Sequence, residues 1–461
     1  MSTPTVIVVG GGLAGITAAL DCARAGADVT LLEARGRLGG AAYSFRRGGM
    51  TVDNGQHVFL RCCSAYRGLL EELGATDLVT LQPRLEVPVL APRGRTGWLR
   101  RSGLPAPLHL AGSVLRYPYL GWRERAALVW AMQRLRQVNV DDPAADAVSF
   151  GSWLRRQRQS RRAVEAIWEL IVRPTVNLTV DEASLAQAAQ VFQVGLLSDA
   201  AAGDIGWAVR PLGQIHDERG RAALQRAGVD VHLRSTARAI VRQVVADGSD
   251  AGRLGFRVEA SDGFSATADA VVLALAPAQA AQLLPAQPGL APDWAARIGS
   301  SPIINLHVVY DRRVLPHPFA ASVDSPVQWV FDRTAGAGVT HGQYLAVSLS
   351  AADDELHATA EELRSRYLPA LADLLPAAAE AEVEDFFVTR EHAATFRAAP
   401  GARTWRLGPY AEPLGLVLAG AWTDTGWPAT MEGAVRSGHA AAEAAMAVAT
   451  SVSRTRAPLE V

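Results

Sequence analysis

Apolar residues in this chain gather into short unbroken runs near both ends and into mixed patterns in between. The first run, Thr5 to Val9 (TVIVV), is β-branched throughout with no polar alternation, the pattern of a strand buried on both faces. It passes into three glycines, Gly10 to Gly12, and then into a helical repeat from Leu13 to Ala25 that Gly26 closes. Asp28 to Leu32 reads as a second strand ending at Glu33, which completes a βαβ unit.

Matching pieces recur far downstream. Arg219 to Ala227 has helical character, and Val229 to Leu233, Ile240 to Val245, Gly255 to Ala260 and Ala270 to Leu275 read as strands. Leu414 to Ala419 is another buried strand, followed by a Gly-rich turn and a helix around Met431 to Val448. Three separated α/β pieces predict one discontinuous nucleotide-binding domain, 1–82, 207–284 and 401–450. Its insertions, 83–206 and 285–400, would form a second, mixed α+β domain facing substrate and membrane. The first insertion reads as mostly helical. The second mixes strands (Ile303 to Tyr310, Tyr344 to Leu349) with a helix from Ala351 to Leu375. The tail, 451–461, is polar and expected to be loose.

Length and composition narrow the classes. With 461 residues, 49% hydrophobic and 20% charged, the chain has material for a large core and is not a disordered sequence. Net charge is -1, which argues against nucleic-acid binding. All 45 basic residues are arginine, so no lysine Schiff base or lysine general base is available. Three cysteines, Cys22, Cys62 and Cys63, make no disulfide framework and fit a reducing cytoplasm; no metal-ligand spacing is present. The longest uncharged run, Ala270 to Pro292, contains four prolines and is a poor spanning helix. A cytoplasmic protein is expected, at most peripheral on the inner face of the cell membrane.

Gly10, Gly12 and Gly15 stand at G-x-G-x-x-G spacing between a strand and a helix, with Glu33 about 20 residues on. The glycines permit a tight turn, approach of a pyrophosphate and close helix packing, while the acid accepts from a ribose hydroxyl. A dinucleotide site follows. Arg35, Arg37, Gly39 and Gly40 (EARGRLGG) continue it in a way that resembles the FAD-dependent amine oxidase and phytoene desaturase superfamily. The segment Gly420 to Gly438 is similar to the second FAD signature of that superfamily. The resemblance implies that Asp424 meets the ribityl or phosphate region, and that the amides of Thr430, Met431 and Glu432 face the flavin pyrimidine carbonyl. It also places Leu13, Ala14, Ala34, Gly55 and Ala237 in the cofactor site. The implied fold is a discontinuous Rossmann-type FAD-binding domain with an inserted substrate domain. No second glycine fingerprint follows a strand, so a separate electron donor is expected.

Within that superfamily, Asp53-Asn54-Gly55-Gln56-His57, Leu104 to Tyr117, Arg173 to Leu178 and Glu182 to Ser184 resemble the hydroxysqualene dehydroxylases of hopanoid biosynthesis. The resemblance implies that hydroxysqualene and reduced flavin give squalene, water and oxidised flavin. Such chemistry needs a proton donor, a dry cavity and an aromatic wall. His57 is the first candidate donor, with Gln56 orienting it and Gln56, His57 and Gly55 also beside the flavin. Asp53 is a further candidate acid. Asn177 stands in a Val-Asn-Leu triplet where the family pattern has Leu-Asn-Thr. The aromatic wall is sought among Trp122, Trp130, Trp153, Trp168, Phe192, Trp207, Trp294, Trp329 and Phe331. Leu104 to Val138 mixes apolar residues with Arg116, Arg123, Arg125, Arg134 and Arg136, as a membrane-surface segment does. Rival readings are a carotenoid-type desaturase, an amine oxidase (whose flavin-side lysine is missing here) and a non-enzymatic isoprenoid carrier.

Overall fold

A computed structural model describes residues 3–245, 253–287, 290–411 and 413–454. The buried runs at the two ends and in the middle of the chain meet in one six-stranded sheet. Its order is Asp230–Leu233, Asp28–Glu33, Thr5–Val9, Ala270–Leu273, Leu416–Leu418 and Tyr410–Ala411. The first five strands are parallel and the last pair antiparallel. Parallel pairing buries both faces, which is why these strands carry continuous Val, Ile and Leu. Helices Leu13–Arg24 and Met431–Arg454 pack on the sheet and on each other. A meander of Ala237–Val245, Arg253–Ala260 and Ser265–Ala268 stands beside it.

A second sheet has seven strands: Val383–Phe396, Ser300–Tyr310, Gln343–Ser350, Trp329–Asp332, Phe319–Ser322, Glu86–Ala91 and Arg95–Arg100. The last two come from the first insertion, which therefore opens on a hairpin and not on helix. That hairpin joins the second insertion through one parallel pairing, Ala321 with Val89 and Ser322 with Leu90. The helical remainder of the first insertion packs around Trp168, Phe150 and Phe192, whose ring centroids lie 5.1–6.0 Å apart.

The helix expected from Ala351 begins only at Ala360. Ala351 has φ +50°, and Thr359 starts the helix: its hydroxyl accepts from Glu362 N (3.2 Å) while the Glu362 carboxylate takes Thr359 N (2.7 Å). The last helix runs on to Arg454 and so takes in 451–454 of the expected tail, whose other residues, 455–461, lie outside the described residues.

Candidate active site

The glycine loop is built by close approach. Gly10 has φ +110°, and a Cβ there would lie 2.3 Å from Ala274 O; a Cβ on Gly15 would lie 1.8 Å from Gly10 O. The strand end and helix start can meet only without side chains. Gly12 precedes Leu13 and Ala14, which open the helix and point its free first-turn amides along the loop. Glu33 is buried and accepts from Gly11 N and Arg35 N, both at 2.7 Å, so its carboxylate fastens the two glycine segments together. Gly39 N donates to Gly11 O (2.9 Å), and Gly40 backs onto Gly12. Ala34 and Arg35 are exposed at the rim. The Arg37 guanidinium lies 3.6 Å from the Tyr43 ring centroid and donates to Gly40 O (3.1 Å). Ala237 opens its strand opposite Ala260, next to a register shift.

The C-terminal signature converges on the same edge. Gly420 N donates to Ser437 Oγ (2.5 Å). Asp424 takes one bond from Arg403 Nε (3.2 Å), and its buried Oδ1 has no partner among the described residues. Arg406, absent from the sequence reading, is buried and grips this loop through the carbonyls of Trp422, Thr423 and Trp427. Burial pulls its guanidinium down to about 10. Thr430 Oγ1 accepts from Gly433 N (3.1 Å), and Met431 begins the 24-residue helix. The Glu432 side chain faces away from that end: it accepts from Ala65 N and Tyr66 N at the start of helix Ser64–Leu73, so only its backbone can serve a cofactor. A glycine cradle, a helix N-terminus, a buried acceptor without partner and flanking arginines together fit FAD.

The DNGQH stretch links strand Met50–Asp53 to strand Val58–Leu60. Asn54 is its clamp, donating to Ala41 O and Glu391 Oε1 (both 2.9 Å) and accepting from Tyr43 N (3.0 Å). His57 Nδ1 lies 3.2 Å from Gly55 O; an N–H donated there leaves Nε2 as the unshared nitrogen. Desolvation lowers the His57 pKa below 6.5, against a raising contribution from the Gly55 carbonyl. Gln56 Nε2 is buried with no partner among the described residues. Asp53 is not a free acid. Oδ2 pairs with Arg333 Nη2 at 2.6 Å, while Oδ1 accepts from Ser44 Oγ (2.6 Å) and Leu212 N (2.9 Å). Arg333 comes from 280 positions downstream, and no motif in the sequence marks it.

Asp53, Gln56, His57 and Arg333 line one small cavity with Trp207, Leu212 and Phe331. Trp207, Phe319, Trp329 and Phe331 form a continuous aromatic wall with centroids 5.3–6.1 Å apart. Trp153, Trp168 and Phe192 belong to the helical core, Trp294 packs on Trp422, and Trp122 and Trp130 lie on the surface. Asn177 is elsewhere. It caps helix Glu169–Val176 in a left-handed conformation, and its amide is used by Ser301 O, Thr395 Oγ1 and Ala351 N. It fastens the helical lobe to the seven-stranded sheet, and both N–H donors of its side chain are spent there.

Two buried histidines flank this region. His216 sits between Tyr66 OH (2.9 Å) and Ala42 O (3.1 Å), and His307 between Tyr344 OH (2.7 Å) and Thr389 Oγ1 (2.9 Å). Burial lowers their pKa values from 6.5 to about 4 and about 3. The unfolded chain binds these protons near 6.5 and the folded chain does not, so stability falls as pH drops from about 6.5 towards 4. His216 alone is expected to cost on the order of 3 kcal/mol over that range. Urea unfolding at stepped pH checks this; His216→Asn should flatten the decline.

Fold and site together define an FAD-dependent oxidoreductase. The chain belongs to the flavin containing amine oxidoreductase family, whose pattern matches residues 13–446. It is 28% identical to hydroxysqualene dehydroxylase of Rhodopseudomonas palustris, over 96% of this chain and 98% of the relative. It is 26% identical to 15-cis-phytoene desaturase of Narcissus pseudonarcissus, over 95% of this chain and 78% of that protein. Among solved structures, cyclohexylamine oxidase from Brevibacterium oxydans matches with a TM-score of 0.69 and 19% identity, over 98% of this chain and all of that one.

Proposed function

We propose that the protein reduces hydroxysqualene to squalene, the hydroxyl leaving as water and a hydride taking its place. The observation that carries this reading is the pairing of His57 with an aromatic wall in one small cavity. Reduced FAD, when bound, supplies the hydride. A protonated His57 would give its proton to the departing hydroxyl, and the faces of Trp207 and Phe331 would stabilise positive charge at the allylic carbon. Trp207, Leu212 and Phe331 would keep bulk water out. Likeness to hydroxysqualene dehydroxylases along almost the whole chain supports the same reading.

Anaerobic flavin reoxidation tests it. Reduced enzyme mixed with hydroxysqualene in detergent should reoxidise with one squalene formed per flavin. A flavin that stays reduced would sink the reading and turn attention to desaturation of phytoene-like hydrocarbons by the oxidised enzyme.

Such a substrate would be delivered from a membrane. Among the described residues no helix is long and apolar enough to cross one. Yet six of the eleven exposed large hydrophobics among the described residues fall between Leu104 and Trp130, with Leu115 at 67%, Trp122 at 73% and Trp130 at 62% exposure. Exposed Arg116, Arg123, Arg134 and Arg136 surround them. The segment would lie on an anionic lipid surface. Trp122→Ser with Trp130→Ser should lower the partition coefficient onto anionic vesicles, read by co-sedimentation, by about 10²–10⁴-fold, given roughly 1.5–3 kcal/mol for each large side chain removed from water.

A further inference from the structure

We infer that Arg333, held by Asp53, is the residue that binds the substrate's hydroxyl oxygen, and that with Gln56 it makes the site selective for a hydroxylated isoprenoid over a plain hydrocarbon. The inference rests on the proposed dehydroxylation and names the polar half of its substrate site.

The polar groups of the cavity are unbalanced. A guanidinium has five N–H donors. In Arg333 two bonds to protein are present, Nη2 to Asp53 Oδ2 (2.6 Å) and Nη1 to Ala208 O (2.5 Å). Gln56 adds an NH2 group that is buried without a partner among the described residues. The Asp53 carboxylate, the one anion on the cavity wall, is already engaged by Arg333, Ser44 and Leu212. Arg333 and Gln56 thus leave N–H donors to spare beside His57, and the remaining wall is Val58, Trp207, Ala208, Leu212 and Phe331. The space between has a volume of about 10 Å³, room for one water-sized group.

One oxygen atom fits this inventory. A substrate hydroxyl would accept from Arg333 and Gln56 while His57 delivers the proton. The C–O bond then breaks with its electron pair going to oxygen, and the water formed remains in the space that its oxygen already occupied. Reduced flavin, when bound, would supply the hydride for the new C–H bond, which balances the step. A hydrocarbon at the same place would leave buried donors unpaired, and a site built to hydrogen-bond an OH rejects the analogue lacking it. The same preference favours release of squalene after the hydroxyl has gone. Asp53 acts here as a positioning residue. It fixes the guanidinium at the end of a strand, in a pair whose side chains are 5% and 9% exposed.

The test is equilibrium binding to the oxidised holoenzyme, which cannot turn hydroxysqualene over, read by tryptophan fluorescence and flavin absorbance. Wild type should bind hydroxysqualene at least about tenfold more tightly than squalene. Arg333→Met should bring that ratio down to about threefold or less with the squalene Kd unchanged, and Arg333→Lys should keep part of it. Because loss of the Asp53 partner could unfold the protein, Gln56→Leu provides a second reading that spares the ion pair, and it too should reduce the ratio. A wild type without preference, or variants that keep the wild-type ratio, would overturn the inference. If wild type shows the preference and the variants lose it, but reduced enzyme is not reoxidised by hydroxysqualene, the hydroxyl site stands and the reaction reading fails.

Discussion

Gly15→Ala should yield a protein that purifies without flavin. The added methyl would lie 1.8 Å from Gly10 O and 3.1 Å from Ala274 Cβ, so the start of helix Leu13–Arg24 must move off the end of strand Thr5–Val9. The nearer neighbour cannot give way, since it is backbone in the sheet connection, and the partly buried Ala274 methyl sits on the strand end itself. FAD affinity should fall by at least about 100-fold, roughly 2.7 kcal/mol, and overpacking should cost about 1–3 kcal/mol of stability. Flavin absorbance per mole of purified protein, with thermal unfolding alongside, gives both quantities. Gly68→Ala is the control: it lies in helix Ser64–Leu73, nothing approaches within 4 Å, and the protein should stay yellow.

The second large effect belongs to His57. His57→Ala should slow reoxidation of the reduced flavin by hydroxysqualene about 10²–10⁴-fold, the span of general acid catalysis. The pH dependence gives the sharper reading. Desolvation keeps the imidazole neutral at neutral pH, so the acid form grows as pH falls through a pKa below 6.5. Single-turnover rate should therefore rise on acidification in wild type and stay flat in the variant. Buried His216 and His307 set the lower limit of that experiment, because acid also weakens the fold. A rate that falls on acidification while circular dichroism stays constant would remove His57 from the acid role.

What the sequence made legible follows from how local each signal is. Strand Thr5–Val9, the glycine loop and Glu33 lie within 29 consecutive residues, and glycine spacing reports a steric need directly. The parallel strands Ala270–Leu273 and Leu416–Leu418 were readable because burial on both faces leaves an unbroken apolar run. Hairpin Glu86–Arg100 lies in an insertion whose sequence reads as helical, because Pro88, Gly97 and several arginines interrupt its alternation. Alanine and acidic residues upstream of the Thr359 cap extend the helical pattern back to Ala351, ahead of the true start at Ala360. His57 and Gln56 were found through a five-residue motif, and the structure brings them to one cavity with Asp53. Arg333 and Arg406 carry no local pattern: each is one arginine among 45, and its meaning lies in partners that folding delivers. Asn177 illustrates the converse, a residue in a suggestive segment whose side-chain amide is engaged by Ser301, Thr395 and Ala351 in a structural joint.

The parallel pairing of Glu86–Ala91 with Phe319–Ser322 also has a consequence for biosynthesis. While the chain leaves the ribosome, the hairpin emerges with one strand edge bare, and its partner lies about 230 residues behind. At roughly 5–20 residues per second that edge waits on the order of 10–50 s for the strand that covers it. An uncovered apolar edge is a template for joining other chains. Recombinant yield should therefore respond to translation speed and to holdase chaperones more than to the stability of the finished protein.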